Sequence, residues 1–315
     1  MAVLLPEFFP GYAGLSHESG PGHPESPGRL SAVLEVGERL VSEGRTRHVH
    51  PVSEADLSLA RTVHERGYID SLEEMGPGSP SRAIDGDTRV GGATVVALKE
   101  TLGMVRDLSE TPRGIARRTF LAMRPPGHHA HAGRGMGFCA VNPLAILCAL
   151  RRASHPSERI AVLDFDVHHG NGTEDILRRL PGQDSLLFVS THRFPFYPGT
   201  GSGRENSEGA SGEGFLDIPL PAGTDDDDYE RILEDVVFPR FERFTPGAIF
   251  VSAGFDAHRD DPLGDMALTE ESYRRIGTWL KGATAGPSAA FLEGGYDLRA
   301  LRASTLAFLS GWFGE

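Results

Sequence analysis

The chain has 315 residues, 39% of them hydrophobic, and no shift in composition divides it, so one large domain spanning 1–315 is expected. A formal net charge of -13 opposes the phosphate backbone, which argues against a direct nucleic-acid partner. No apolar run approaches the roughly 18 residues of a membrane span, and no charged-then-apolar leader is apparent, so no membrane association and a cytoplasmic location are expected. Cys139 and Cys148 are too few for a disulfide framework and lack the paired spacing of a thiolate zinc site. They are expected to be reduced core residues.

In chain order, the first informative segment is the apolar run Arg118 to Met123, which stops abruptly at Arg124-Pro-Pro-Gly-His-His129. Pro143 to Arg152 carries apolar residues at three-to-four spacing and predicts a helix. Ile160 to Leu163 is a second apolar, β-branched run and ends in Asp164-Phe-Asp-Val-His-His-Gly-Asn171. Asp227 to Phe244 predicts another helix, and the acids of Asp225 to Asp228 read as its start, where they oppose the helix dipole, rather than as a cation site. Ala248 to Ser252 and Ala289 to Leu292 repeat the strand pattern, ending in Ala-Gly-Phe-Asp256 and Glu-Gly-Gly-Tyr296. Between them Thr269 is a plausible N-cap for a helix over Glu270 to Lys281. Met75 to Pro80 and Pro195 to Gly214, rich in Gly, Pro and Ser, read as surface loops.

Apolar runs without alternation suit strands buried on both faces, as in a parallel sheet covered by helices. Such sheets place ligands at the carboxyl ends of their strands, where these polar clusters fall. Asp166 and His168, two apart at a strand end, project to one side of the backbone and make half a metal site. Asp256 is the best third ligand for a catalytic metal that keeps an open position. A dinuclear centre would want acids where Gly170 and His258 stand, so one metal is the better count. The adjacent His128 and His129 can be aimed inward by the Pro-Pro-Gly turn and would supply a base and an acid for amide hydrolysis. Asp164 and Asn171 are the acceptors available to fix their tautomers. His131 and His155 read as ordinary core or surface histidines. The phenol of Tyr296 could polarise a scissile carbonyl, with Gly294 and Gly295 letting the backbone approach.

These segments, together with Gly22-His-Pro-Glu-Ser-Pro-Gly-Arg29, Gly137-Phe-Cys139 and Phe196-Tyr-Pro-Gly-Thr-Gly201, resemble the histone deacetylase family, closest to its class II and bacterial members. The resemblance covers nearly the whole chain. It implies an α/β, arginase/deacetylase-type single domain around a mainly parallel sheet of about eight strands flanked by helices. It implies one catalytic Zn2+ on Asp166, His168 and Asp256, a His128–Asp164 dyad that stays charged, a His129–Asn171 dyad acting as general base, and Tyr296 polarising the carbonyl. It also implies a structural K+ held by Asp164, backbone carbonyls of Asp166 and His168, Ser190 and Thr191. Gly137, Phe138, Tyr197, Leu263 and Gly295 match a channel for the substrate, and Arg29 matches an arginine of an inner acetate cavity, with a surface salt bridge as its alternative. Asn142 is followed by Pro143 where relatives often carry a second Asn, which touches packing only.

The expected partner is an acylated lysine or a small acylated amine. Leu263 stands where polyamine-selective relatives place an acid, which favours acyl-lysine. A silent acyl-binding module is the remaining alternative, opposed by the complete set of zinc ligands and Tyr296. Oligomeric state, acyl-chain preference and iron or cobalt in place of zinc are not legible in the sequence.

Overall fold

The computed structural model describes residues 5–314, so the first four residues and the last of the expected 1–315 domain lie outside it. Strands β1 (Glu7–Pro10), β2 (Arg47–His48), β5 (Arg118–Ala122), β6 (Ile160–Asp164), β7 (Leu186–Arg193), β8 (Gly214–Leu220), β9 (Ala248–Ala253) and β10 (Ser288–Leu292) form one sheet. A short hairpin, β3 (Arg82–Ala83) and β4 (Arg89–Val90), stands apart. The helices are α1 (Pro27–Ser42), α2 (Arg66–Glu73), α3 (Gly92–Ser109), α4 (Pro143–Ser154), α5 (Asn171–Arg179), α6 (Asp226–Ile232), α7 (Phe238–Phe244), α8 (Glu270–Leu280) and α9 (Leu298–Phe313). None of the described helices is long and apolar enough to cross a membrane.

The sheet order is β2-β1-β5-β10-β9-β6-β7-β8 and every pairing in it is parallel. Successive strand residues point to opposite faces, and here both faces are apolar. Phe8, Phe120, Leu163 and Val251 pack with α1, α8 and α9 on one side, whereas Phe9, Leu121, Val162 and Phe250 pack with α3 and α4 on the other. The two cysteines are free and buried, as their sparse spacing implied.

Three of the sequence-derived strand runs begin where expected, and Ser288 adds one residue to the fourth. Asp225 caps α6 by accepting from Asp228 N, and Thr269 caps α8 by accepting from Glu271 N. The expected continuous helix over Asp227 to Phe244 is instead two α-helices joined by a π-helical turn, Leu233–Val237. Pro239, in the first turn of α7, has no N–H to give the carbonyl one turn back, so the ladder widens there.

Helices α8 and α9 cross at glycines. A Cβ on Gly277 would lie 2.2 Å from the Phe308 carbonyl oxygen, and one on Gly311 would lie 2.5 Å from the Arg274 carbonyl oxygen. Gly277→Ala is therefore expected to force the helices apart and cost about 1–3 kcal/mol despite alanine's better helix propensity. A urea midpoint equal to wild type would show that the pair can separate freely.

Candidate active site

Strands β10, β9 and β6 are neighbours, so the loops that leave their carboxyl ends converge. The β6 loop is wound tightly by its own acids: Asp164 Oδ1 accepts from Asp166 N at 3.2 Å, and Asp166 Oδ1 from His168 N at 2.9 Å. Asp166 Oδ2 accepts from Gly294 N at 2.8 Å, and Asp256 Oδ1 from Val167 N at 3.0 Å. Asp166 and Asp256 are thus each fixed by the backbone of another loop.

What faces them is His168, whose Nδ1 lies 3.1 Å from Asp166 Oδ1 and 3.2 Å from Asp256 Oδ2. Burial works against a charged ring, but hydrogen bonds to both carboxylates raise His168 to about 10. Two fully buried carboxylates around one imidazole leave an excess of negative charge in a low-dielectric pocket, which a divalent cation would neutralise. The surroundings leave no room for side chains. A Cβ on Gly254 would sit 2.1 Å from Asp166 Oδ2, and one on Gly294 2.0 Å from Asp256 Oδ2. The donor set and its cradle fit the single metal expected from the sequence on Asp166, His168 and Asp256.

Two other clusters of potential ligands occur among the described residues, His128 with Cys139 and Glu293, and His169 with His192 and Asp217. Their donor atoms are largely engaged. His192 bonds the Ser190 hydroxyl and the Gly201 carbonyl, and His169 bonds the Thr200 hydroxyl and Asp217.

His128 and His129 stand with ring centroids 4.0 Å apart, and different partners give them different chemistry. His128 Nδ1 lies 3.1 Å from Asp164 Oδ2, and His129 Nδ1 lies 2.7 Å from Asn171 Oδ1. Burial disfavours charge on His128, yet the negative charges of Asp166, Asp164 and Glu293 hold it well above the usual imidazole range. Burial and the positive charges of His128 and His168 push His129 well below that range. Glu293 also fixes the turn that carries the pair, since its Oε2 accepts from Gly127 N at 2.7 Å and His128 N at 3.1 Å.

Tyr296 follows Gly295, whose φ of +120° only glycine adopts comfortably. Asp261 anchors this loop: one oxygen accepts from Tyr296 N at 2.6 Å and Asp297 N at 3.3 Å, the other from Leu263 N at 2.9 Å. Burial raises the phenol further above its usual range although Arg29 pulls the other way, so Tyr296 keeps its proton and can donate it in a hydrogen bond.

A channel of about 240 Å3 reaches these groups. Phe138, Phe196, Tyr197 and Leu263 wall it, His129, His168 and Tyr296 border it, and the exposed Asp87 stands at its edge. Phe196 stacks on His168 with 5.5 Å between centroids, and Tyr197 meets His129 edge-on at 5.2 Å. Phe138 takes a left-handed φ of +70°, a strained conformation for a residue with a side chain, directly after Gly137, which adopts its own +53° without strain. A Cβ on Gly137 would lie 2.5 Å from His129 Cδ2.

The remaining sequence-derived positions divide. Arg29 is fully buried, which removes the surface-salt-bridge alternative; it donates to the carbonyls of Gly295, at 2.6 Å, and Glu293, and lies over the Tyr296 ring. Asp164 and Ser190 are register partners on β6 and β7, and the Thr191 hydroxyl meets Tyr229 OH at 2.7 Å. The sequence reading missed Glu293, Asp261, Phe196 and Asp87, of which the first three lie inside or beside the polar clusters it singled out. It also assigned no role to His131, which bonds Asn171.

Beneath Tyr296, Glu25 joins Arg29 and Arg124 in a buried charge cluster. Burial alone would raise Glu25, but hydrogen bonds and charge from Arg124, with Arg29, lower it to about 2. A depressed carboxyl stabilises the fold above its unfolded pKa near 4.5 and loses that contribution as pH falls toward 2. Glu25→Gln should therefore be less stable than wild type at pH 7 and show a shallower loss between pH 4.5 and 2, measured by denaturant titration at each pH. Parallel curves would remove Glu25 from the acid transition.

The chain is similar to known proteins over nearly its whole length. The histone deacetylase domain family matches residues 23–312. A probable deacetylase of Archaeoglobus fulgidus is 36% identical over 90% of this chain and 79% of its own length. A histone deacetylase-like amidohydrolase of Pseudomonas aeruginosa is 34% identical over 88% of this chain and 73% of its own. Among solved structures, the HDA15 HD domain superposes with a TM-score of 0.85 at 30% identity, covering 99% of this chain and 89% of that one. An acetylpolyamine aminohydrolase from Burkholderia pseudomallei does so with a TM-score of 0.78 at 25% identity, over 98% of both chains. By sequence and by fold, over nearly all of its length, the chain belongs to the histone deacetylase family.

Proposed function

We propose that the chain is a zinc-dependent deacylase that hydrolyses the side-chain amide of acyl-lysine to free amine and carboxylate. The observation that carries the proposal is the pair of unlike histidine dyads set beside a buried Asp166–His168–Asp256 cluster at the end of an aromatic channel. When bound there, zinc would supply Lewis acidity toward the acyl oxygen and acidify water at its open position.

The protein groups do the rest. The lysine methylene stem lies between the faces of Phe138 and Tyr197, which exclude water. Tyr296 donates its phenolic hydrogen to the acyl oxygen as charge grows there, held in place by the bonds from its own N–H and that of Asp297 to Asp261. His129 Nε2 takes the proton of the attacking water, because Nδ1 is committed to Asn171. His128, charged through its contact with Asp164, stabilises the developing anion without giving up its proton. As the C–N bond breaks, His129 returns the proton to the leaving amine. A K+ against Asp164, Ser190 and nearby backbone carbonyls would brace the β6 loop from beneath.

A second reading, hydrolysis of a small acylated amine, draws on the likeness to the acetylpolyamine aminohydrolase and on Asp87, a carboxylate that could meet a distant ammonium. Leu263, apolar and lining the channel, favours acyl-lysine.

The deciding assay is turnover of an acetyl-lysine peptide against acetylated putrescine and spermidine, with and without a chelator. Peptide turnover lost on chelation and regained with zinc is expected; preference for the polyamines would transfer the proposal to the small amines, and no turnover of any would return it to a silent binder. His129→Ala and Tyr296→Phe should each lower kcat by about 10²-fold or more with the fold intact by circular dichroism. Leu263→Glu should raise relative turnover of acetylspermidine, and an unchanged ratio would show that this position does not select substrate.

A further inference from the structure

Asn171 can serve His129 only if its carboxamide faces the right way, and a short chain of contacts decides this. Asn171 Oδ1 lies 2.7 Å from His129 Nδ1, while Asn171 Nδ2 lies 2.8 Å from His131 Nε2. On its other side, His131 Nδ1 lies 3.1 Å from Asp175 Oδ2. The second oxygen of Asp175 accepts from Arg179 at 2.7 Å, which holds the carboxylate in place.

Each link in this chain has one sense. An ionised Asp175 only accepts, so the proton of a neutral His131 ring sits on Nδ1 and its Nε2 is a bare acceptor. A bare acceptor must meet the amide NH2 of Asn171, not its oxygen. The oxygen therefore faces His129 and calls for a hydrogen on His129 Nδ1. His129 Nε2 is left with its lone pair, the form a general base needs.

We infer that His131 is a positioning residue that acts through Asn171 to fix the tautomer of His129. The inference rests on the reading of His129 as base. The backbone of His131 is itself pinned, its N–H donating to the Arg134 carbonyl at 2.9 Å and its carbonyl meeting His64 Nδ1 at 2.9 Å. Apart from His131, the Asn171 NH2 finds among the described residues only the Met136 sulfur, at 3.8 Å. A thioether is a weak acceptor, so without His131 the amide has little to hold it against turning over. An ordinary helical pair between Asp175 and Arg179 would explain those two residues but leave the His131–Asn171 contact without a purpose.

Three variants separate the positioning role from a merely structural one. In His131→Gln the side-chain oxygen reaches the place of Nε2 and can accept from Asn171; in His131→Asn the amide stops at the place of Nδ1 and cannot; His131→Leu offers no acceptor. With the zinc-loaded full chain and an acetyl-lysine peptide, the Asn and Leu variants should lose about 10- to 100-fold in kcat with KM changed less than about twofold, while Gln stays within about threefold of wild type. Nitrogen-15 NMR of the His129 ring, read with or without turnover, should show a bare Nε2 in wild type and the Gln variant and a mixed tautomer in Leu. A Leu variant with wild-type kcat and an unchanged His129 signature would overturn the inference, as would equal losses in Gln, Asn and Leu. His129→Ala separates the two readings. If it leaves kcat intact the base assignment falls; if it abolishes turnover while His131→Leu alters neither kcat nor the ring signature, only the positioning role falls.

Discussion

The structure is organised around two carboxylates that should not be comfortable where they are. Asp166 and Asp256 are wholly buried at the ends of neighbouring strands, where an unpaired charge would cost several kcal/mol. Everything near them reduces that cost. The backbone N–H groups of Val167, His168 and Gly294 point at the acids, His168 lies between them, and His128 approaches Asp166 to 3.8 Å. Glycines stand wherever a side chain would press on the carboxylate oxygens. The arrangement makes sense for a sheet whose neighbouring strands all end on one edge, because only there can three loops bring their backbones to one point.

The same negative charge sets the two adjacent histidines apart. His128 looks toward Asp164 and Asp166 and is held protonated; His129, one residue on, looks toward Asn171 and meets positive neighbours instead. A pair of chemically identical groups 4.0 Å apart is thus set apart, one ring favoured charged and the other neutral, by environment alone. Glu293 contributes a second time here, since its carboxylate both adds to the field on His128 and ties down the turn that aims the rings.

How much of this was legible depended on whether a residue's role is local. Asp166, His168 and Asp256 announced themselves because a buried apolar run ending in ionisable groups is costly without a partner, and the four central strands could be read for the same reason. β7 was missed although Leu186 to Val189 is strongly apolar, because it ends in Ser-Thr-His-Arg rather than in a Gly, His and Asp cluster. β1 and β2 are only four and two residues long, too short for any pattern to form. The eight-strand count came from resemblance, not from pattern. Asp261 and His131 were illegible for a different reason: each acts on a neighbour distant in sequence, Tyr296 and Asn171, and only the folded chain brings them together. Pro239 carried a readable signal, and its effect on the helix follows from the missing N–H, but the apolar spacing across it concealed the break.

Selectivity and chemistry share side chains at the channel's inner end. Phe196 and Tyr197, which wall the channel, also pack on His168 and His129, so side chains that shape the channel are the ones that hold these two rings in orientation. Asp261 does the same on the opposite wall, fixing Leu263 with one oxygen and the backbone of Tyr296 with the other. A change to Phe196 or Tyr197 that widens the channel therefore also alters the packing on His168 or His129. The exposed Asp87, at the outer edge, lies outside that aromatic packing, so a change there bears on substrate preference more than on the orientation of His129 or His168.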